Sequence, residues 1–336
     1  MLSQVCIVPG RLTGIGGPIS FQQKLVRGLT QRNIAVTYDL DDEPYDAVLV
    51  INATRQLSRL WRCKRRGVRI VQRLGIPNWL HDYLPVRRWK RIQARVRNLM
   101  MQWIRQSLAD CVVYQSCFVQ DVWNKAYGVT KAPSTVIYNG VDLAVFNPDG
   151  SRYQSQADVC LISVEGTQGS DPFDIAVSVA QGIEARGMTT ELLIFGKPWR
   201  DAEARFACYP FVNFRGAVPN RDLPHYYRGA AIYVSTDIIT AGCPNSVLEA
   251  LACGAPVIGY RAGVLAELLD ESSGRCVEPR GDLWKGEAPG NQEGMVTAAL
   301  EVLADLEHFR RGARRLAAER YGLDAMVDAY VEALSG

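Results

Sequence analysis

Residues 231–263, AIYVSTDIITAGCPNSVLEALACGAPVIGYRAG, constrain the chain more than any other stretch. Ala231 to Ser235 is a short apolar run that reads as a strand, and Val247, Leu248 and Leu251 recur at helical spacing. Gly254 stops that helix and Pro256 seals the stop. Pro256 to Tyr260 is a second short strand, so the order strand, loop, helix, strand makes a unit that builds parallel sheets. Pro244 suits the first turn of the helix, where its missing N–H has no intrahelical partner. The amides of Asn245, Ser246 and Val247 then point outward unpaired, at an end that carries about half a positive charge from aligned peptide dipoles. A phosphate is stabilised at such an end without any side-chain cation. Glu249 follows within about two turns. Ser246 and Glu249 also fit the S-x-x-E capping box, which needs no ligand, and spacing alone leaves both readings open.

A chain of 336 residues is long for one core and comfortable for two domains. Its 48% hydrophobic and 22% charged residues exclude a disordered chain, and no run approaches the roughly 20 apolar residues of a membrane helix. The opening MLSQVCIVPG reads as a buried strand rather than a signal peptide. Nine cysteines without a C-x-x-C pair leave no zinc or redox motif and fit a reducing, cytoplasmic setting. A net charge of +3 is too small to imply nucleic acid as a partner.

Along the chain, Gln4 to Pro9 reads as a strand, GRLTGIGGP as a glycine-rich loop, and Phe21 to Leu29 as the body of a helix. This order invites a dinucleotide-binding reading, with Asp39 at the expected acidic spacing. The third small position of that fingerprint is Ile19, however, so a dehydrogenase fits poorly. Strands follow at Tyr45–Ile51 and Val68–Leu74. Arg73 and the loop GIPNWLHDYLP lie at the carboxyl end of the latter, where open α/β sheets bind ligands. Arg73 is a candidate anion contact there, and His81 is either a sugar contact or simply an exposed histidine. Residues 87–107 form a basic amphipathic helix with Trp89, Met100, Met101 and Trp103 as apolar members. Such a helix either lies on an anionic membrane surface or buries one stripe in its own domain.

The string CPNSVLEALACGAPVIGYRAGVLAELL resembles the signature of the retaining GT-B glycosyltransferases, family 4, and Gly263 and Glu267 fall where that family has its G-x-x-x-E. The resemblance runs from about residue 5 to 334 and implies an α/β fold of two Rossmann-like, doubly wound domains facing each other across a cleft. The expected divisions are an acceptor-side domain at 1–148, a nucleotide-sugar domain at 149–317 and a last helix at 318–336 that returns to the first domain. The implied donor is a nucleoside diphosphate sugar, UDP- or GDP-linked, and the acceptor a glycan or lipid-linked hydroxyl. Glu249 would hold the ribose, the amides of Asn245, Ser246 and Val247 the diphosphate, and Gly16-Gly17 would approach the donor phosphates or the acceptor. Asp39-Leu40-Asp41 resembles the metal-binding D-x-D of the other major glycosyltransferase fold, but it sits in a turn-forming acidic stretch that reads as a solvated loop. No metal and no cofactor is expected.

The chain departs from the family pattern in two places. Ala241 stands where an acidic residue usually precedes the ribose glutamate by eight positions. The loop EGTQGSDPFD lacks the arginine and lysine that neutralise the leaving diphosphate in relatives. Lys197 and Arg200 are candidate substitutes, and Arg215 sits in a loop resembling the segment that frames the nucleobase. These departures keep a silent nucleotide-sugar-binding module, and less readily an epimerase, in competition with a transferase. Glycan, polysaccharide or glycolipid assembly at the cytoplasmic side, with peripheral membrane contact through 87–107, is the expected setting.

Overall fold

The computed structural model describes residues 2–14, 16–79, 87–164, 173–196, 202–239 and 241–336. The chain forms two compact units, one of residues 1–140, 284–286 and 323–336, the other of residues 141–283 and 287–322.

The first unit holds a six-stranded parallel sheet of β1 (Gln4–Val8), β2 (Ala35–Thr37), β3 (Ala47–Ile51), β4 (Arg69–Leu74), β5 (Cys111–Tyr114) and β6 (Ser134–Val136), in the order β2-β1-β3-β4-β5-β6. Of its central strands, β1, β3 and β5 are almost wholly apolar because both faces are covered, whereas β4 carries buried Gln72 and Arg73. Alternation assigns Val5, Ile7, Leu49 and Val71 to one face, under Phe21, Leu25 and Leu29 of α1 (Gly17–Gln31) and Val327 and Tyr330 of α12 (Leu323–Ser335). Cys6, Val8, Val48, Val50 and Ile70 line the other, under Leu60 of α2 (Leu57–Arg65) and Ile104 of α3 (Arg88–Ser107).

The second unit repeats the plan with β7 (Val159–Val164), β8 (Thr190–Phe195), β9 (Val212–Gly216), β10 (Ile232–Val234), β11 (Val257–Tyr260) and β12 (Gly274–Val277), all parallel, in the order β12-β11-β10-β7-β8-β9. β7 is the first strand of this sheet in the chain, and its neighbours are β8 on one side and β10 on the other. The winding therefore reverses between β7 and β10. In open α/β sheets the carboxyl ends at such a reversal form the ligand crevice.

The segment read as one last helix is two: α11 (Leu306–Arg320) and α12. Tyr321 and Gly322 break it, with the Val141 amide donating to the Tyr321 carbonyl at 2.8 Å and the buried Tyr321 hydroxyl donating to Leu268 O at 3.0 Å. α12 packs with α1, β3 and β4, all in the first unit.

Candidate functional site

Strand β10 feeds a loop at 235–244 that enters α8 (Asn245–Ala252), so the reversal point of the second sheet meets the amino end of a helix. Pro244 is the residue just outside this helix rather than its first helical residue, because its φ of −71° suits a helix but its ψ of 120° is extended. Ser246 is then the second helical residue and is placed wrongly to cap, and Pro244 at the cap position makes no side-chain capping bond. The S-x-x-E spacing is therefore not a capping box. The backbone N–H groups of Asn245, Ser246 and Val247 occupy the first turn, where a helix offers no internal acceptors. Helix dipole and bare amides together favour an anion here.

The rest of α8 is fixed by burial. Val247, Leu248, Ala250, Leu251 and Ala252 are all enclosed. At its carboxyl end Gly254, with φ +77°, donates to Leu251 O at 2.9 Å while Ala255 donates to Ala250 O at 2.9 Å, the paired bonds of a glycine-terminated helix. Arg314 adds a cation to that end, donating to Ala252 O at 3.0 Å and to Phe146 O at 3.1 Å. The loop before α8 is braced from the side. Gly263 has φ +58°, and a Cβ there would lie 2.2 Å from the Ile238 carbonyl oxygen. Only glycine lets the β11 loop approach so closely.

Glu249 is 3% exposed, and Asn220 Nδ2 donates to its Oε2 at 3.1 Å. Asn220 is exposed and begins the short turn after the VNFRGAVP loop. The carboxylate thus ends against the residue that follows the loop which, by resemblance, was expected to frame the nucleobase. Asp237, in the loop between β10 and α8, was not anticipated, because a lone aspartate in TDII carries no pattern. Burial pushes its carboxyl up to about 6. Asn220 escaped notice for another reason: it lies 29 residues from Glu249 in sequence.

The remaining candidates are dispersed. Gly16 stands at the cap position of α1 with φ 144°, where it offers no capping side chain, and Gly17 opens the helix. Buried Gln22 pins the preceding loop, accepting from the Leu12 amide at 2.7 Å and donating to Gly10 O at 2.8 Å. Arg73 is 1% exposed at the end of β4. Its Nη2 donates to Asn139 Oδ1 at 2.9 Å and its guanidinium lies 3.7 Å from the centre of the Phe21 ring. Arg215, exposed at the end of β9, stacks on Tyr153 and Tyr226 at 5.3 and 5.8 Å. His81, Lys197, Arg200 and the EGTQGSDP loop lie outside the described residues. Asp39 and Asp41 both pair with Arg59, at 3.4 and 2.9 Å, as a solvated acidic turn would. Among the described residues no cluster of three or more His, Cys, Asp or Glu side chains could hold a metal ion.

Residues 16–145 match the family model described as Glycosyltransferase Family 4, and residues 166–305 match that of the Glycosyl transferases group 1. The chain belongs to these glycosyltransferases. Its two-domain α/β architecture is the GT-B fold. Sucrose-phosphate synthase from Thermosynechococcus elongatus matches it with a TM-score of 0.75 at 14% identity, over 98% of both chains. The Anabaena protein HepE, solved with UDP and glucose, matches over the whole of both chains with a TM-score of 0.70 at 13% identity. Among curated sequences, this glycosyltransferase chain is 24% identical over 221 residues to a GDP-mannose-dependent alpha-(1-6)-phosphatidylinositol dimannoside mannosyltransferase of Mycobacterium tuberculosis. The match takes in 62% of the chain and 53% of that relative, so the chain spans about half the length of the curated protein.

Proposed function

We propose that the chain transfers a sugar, with retention, from a nucleoside diphosphate sugar to an acceptor hydroxyl in glycan, polysaccharide or glycolipid assembly. One observation carries this reading: the first turn of α8, entered through a proline that has no capping side chain, stands at the winding reversal of the second sheet, with buried Glu249 on the same helix. The amides of Asn245, Ser246 and Val247 take the diphosphate, and Glu249, oriented by Asn220, accepts hydrogen bonds from the ribose hydroxyls. As the sugar departs it becomes cationic and the diphosphate gains charge. Fixed amides stabilise that charge without reorganising, and removing one such donor typically costs roughly 3 to 4 kcal/mol. The departing phosphate can take the proton of an acceptor that approaches the same face, which gives retention. Lys197 and Arg200 supply the cations that the loop after β7 lacks, and Gly16 and Gly17 bring bare backbone to the donor. Arg215, in β9, contacts the donor, and the loop that follows it frames the nucleobase. Arg73 holds the turn at Asn139, and His81 serves the acceptor side. The donor is a UDP- or GDP-sugar: HepE was solved with UDP and glucose, and the mycobacterial relative is named for GDP-mannose.

The test is a donor panel of UDP-, GDP- and ADP-sugars with and without lipid and oligosaccharide acceptors, read as released nucleotide and as the anomeric configuration of the product. Nucleotide release with mass gained by the acceptor and the anomer kept is the expected result. Tight binding of one donor with no turnover on any acceptor would favour a silent nucleotide-sugar-binding module, the reading that Ala241 motivates.

A further inference from the structure

Helix α3 has two opposite faces, and the more apolar one points to solvent. Ala94, Asn98, Met101, Ile104 and Arg105 are buried against the sheet. At about 100° per residue, Trp89, Ile92, Val96, Leu99 and Trp103 fall on the other side of the helix as one stripe. All five are exposed, from 42% at Trp103 to 62% at Leu99. The stripe is about 20 Å long. Isolated exposed apolar side chains are ordinary, but a continuous row of them marks an interaction surface.

The flank of the row identifies its occupant. Arg88, Arg91 and Arg95 run along one side and, with Ile92, line a recess of about 420 Å³. Nε of Arg91 is buried with no hydrogen-bond partner. Residues 88–107 contain no aspartate or glutamate, whereas six of them are arginine or lysine. A second copy of α3 laid on the stripe would bring arginine against arginine, because the helix itself carries no acid. An anionic bilayer satisfies both halves at once: aromatic and aliphatic side chains enter the acyl boundary, and guanidinium groups fork onto phosphates. Tryptophans at both ends of the row suit the interface depth. Among the described residues no helix is long and apolar enough to cross a membrane.

We infer that α3 docks the first unit flat on an anionic phospholipid surface through the row Trp89, Ile92, Val96, Leu99 and Trp103, with Arg88, Arg91 and Arg95 on the headgroups. This goes beyond sugar transfer and stands without it. Asn98 ties the docked helix to the segment after β4, accepting from the Asn78 amide at 3.0 Å and donating to Asn78 O at 2.9 Å.

The full chain is sedimented with phosphatidylcholine vesicles, with or without one-third phosphatidylglycerol. Two variants are compared, the pair Trp89→Ser and Trp103→Ser, and the triple Arg88→Gln, Arg91→Gln and Arg95→Gln, each checked for unchanged far-UV circular dichroism. The chain pellets with phosphatidylglycerol vesicles and not with phosphatidylcholine alone, and each variant lowers the partition coefficient by on the order of tenfold or more. Failure to pellet with anionic vesicles, or unchanged pelleting of the tryptophan pair, overturns the inference. So does a dimer in light scattering that the tryptophan pair dissolves. None of these readouts uses transferase activity, so their failure leaves the proposed reaction standing.

Discussion

At the scale of single residues, two carboxylates in the second unit show how burial divides roles. Glu249 is enclosed, yet its Oε2 accepts from Asn220, an exposed side chain, so its environment is polar on the side that matters. A hydrogen bond to a charged group contributes about 1.5 to 3 kcal/mol, enough to justify desolvating a carboxylate that also holds a ligand. Asp237 differs, because burial raises it to about 6. An unfolded aspartate titrates near 3.9. Between these values the folded chain keeps a proton that the unfolded chain has lost, so stability falls as pH rises from about 4 to about 6 and is flat beyond. Asp237→Asn removes that loss. Its melting temperature, relative to the unchanged chain, is expected to be higher at pH 7.5 than at pH 4, and an equal difference at both would contradict the assignment.

At the scale of elements, the strand-loop-helix-strand unit at 231–263 was legible for a physical reason. Strands buried on both faces read as unbroken apolar runs, and Gly254 and Pro256 punctuate the helix end unambiguously. The helix start was less legible, since proline fixes φ but leaves ψ free, and ψ decides whether Pro244 is inside or outside α8. Helix α3 was readable as amphipathic but not as to which side is buried. Its inward face contains Asn98 and Arg105, and Arg105 is satisfied by Tyr114, Gln102 and Asn124. Of the apolar members named from sequence, Met101 is buried while Trp89 and Trp103 are exposed. Gly263 belongs to this scale too, because its missing Cβ lets one loop brace another. Gly263→Ala is expected to destabilise the chain by about 1–3 kcal/mol in urea denaturation, through backbone strain and the clash with Ile238 O. A loss within 0.5 kcal/mol, the usual range for uninvolved surface positions, would show that the loop yields freely.

At the scale of the whole molecule, two domains were foreseeable from length, and the family and its doubly wound α/β plan from the resemblance carried by one dense motif, whereas the six strands of each sheet were not. The break at Tyr321 and Gly322 was not, because the tyrosine is fixed by contacts with Leu268 and Val141, which are distant in sequence. The same holds for the partner of Glu249. The central claim is that the amino end of α8 and Glu249 together hold a nucleoside diphosphate. Titration calorimetry of UDP and GDP, beside uridine and guanosine, tests it most directly on the unchanged chain and on Glu249→Ala. The account predicts that one diphosphate binds, that its nucleoside binds far more weakly, and that Glu249→Ala loses about 1.5 to 3 kcal/mol of binding free energy. Equal affinity for nucleoside and diphosphate, or undiminished affinity in the variant, would contradict it.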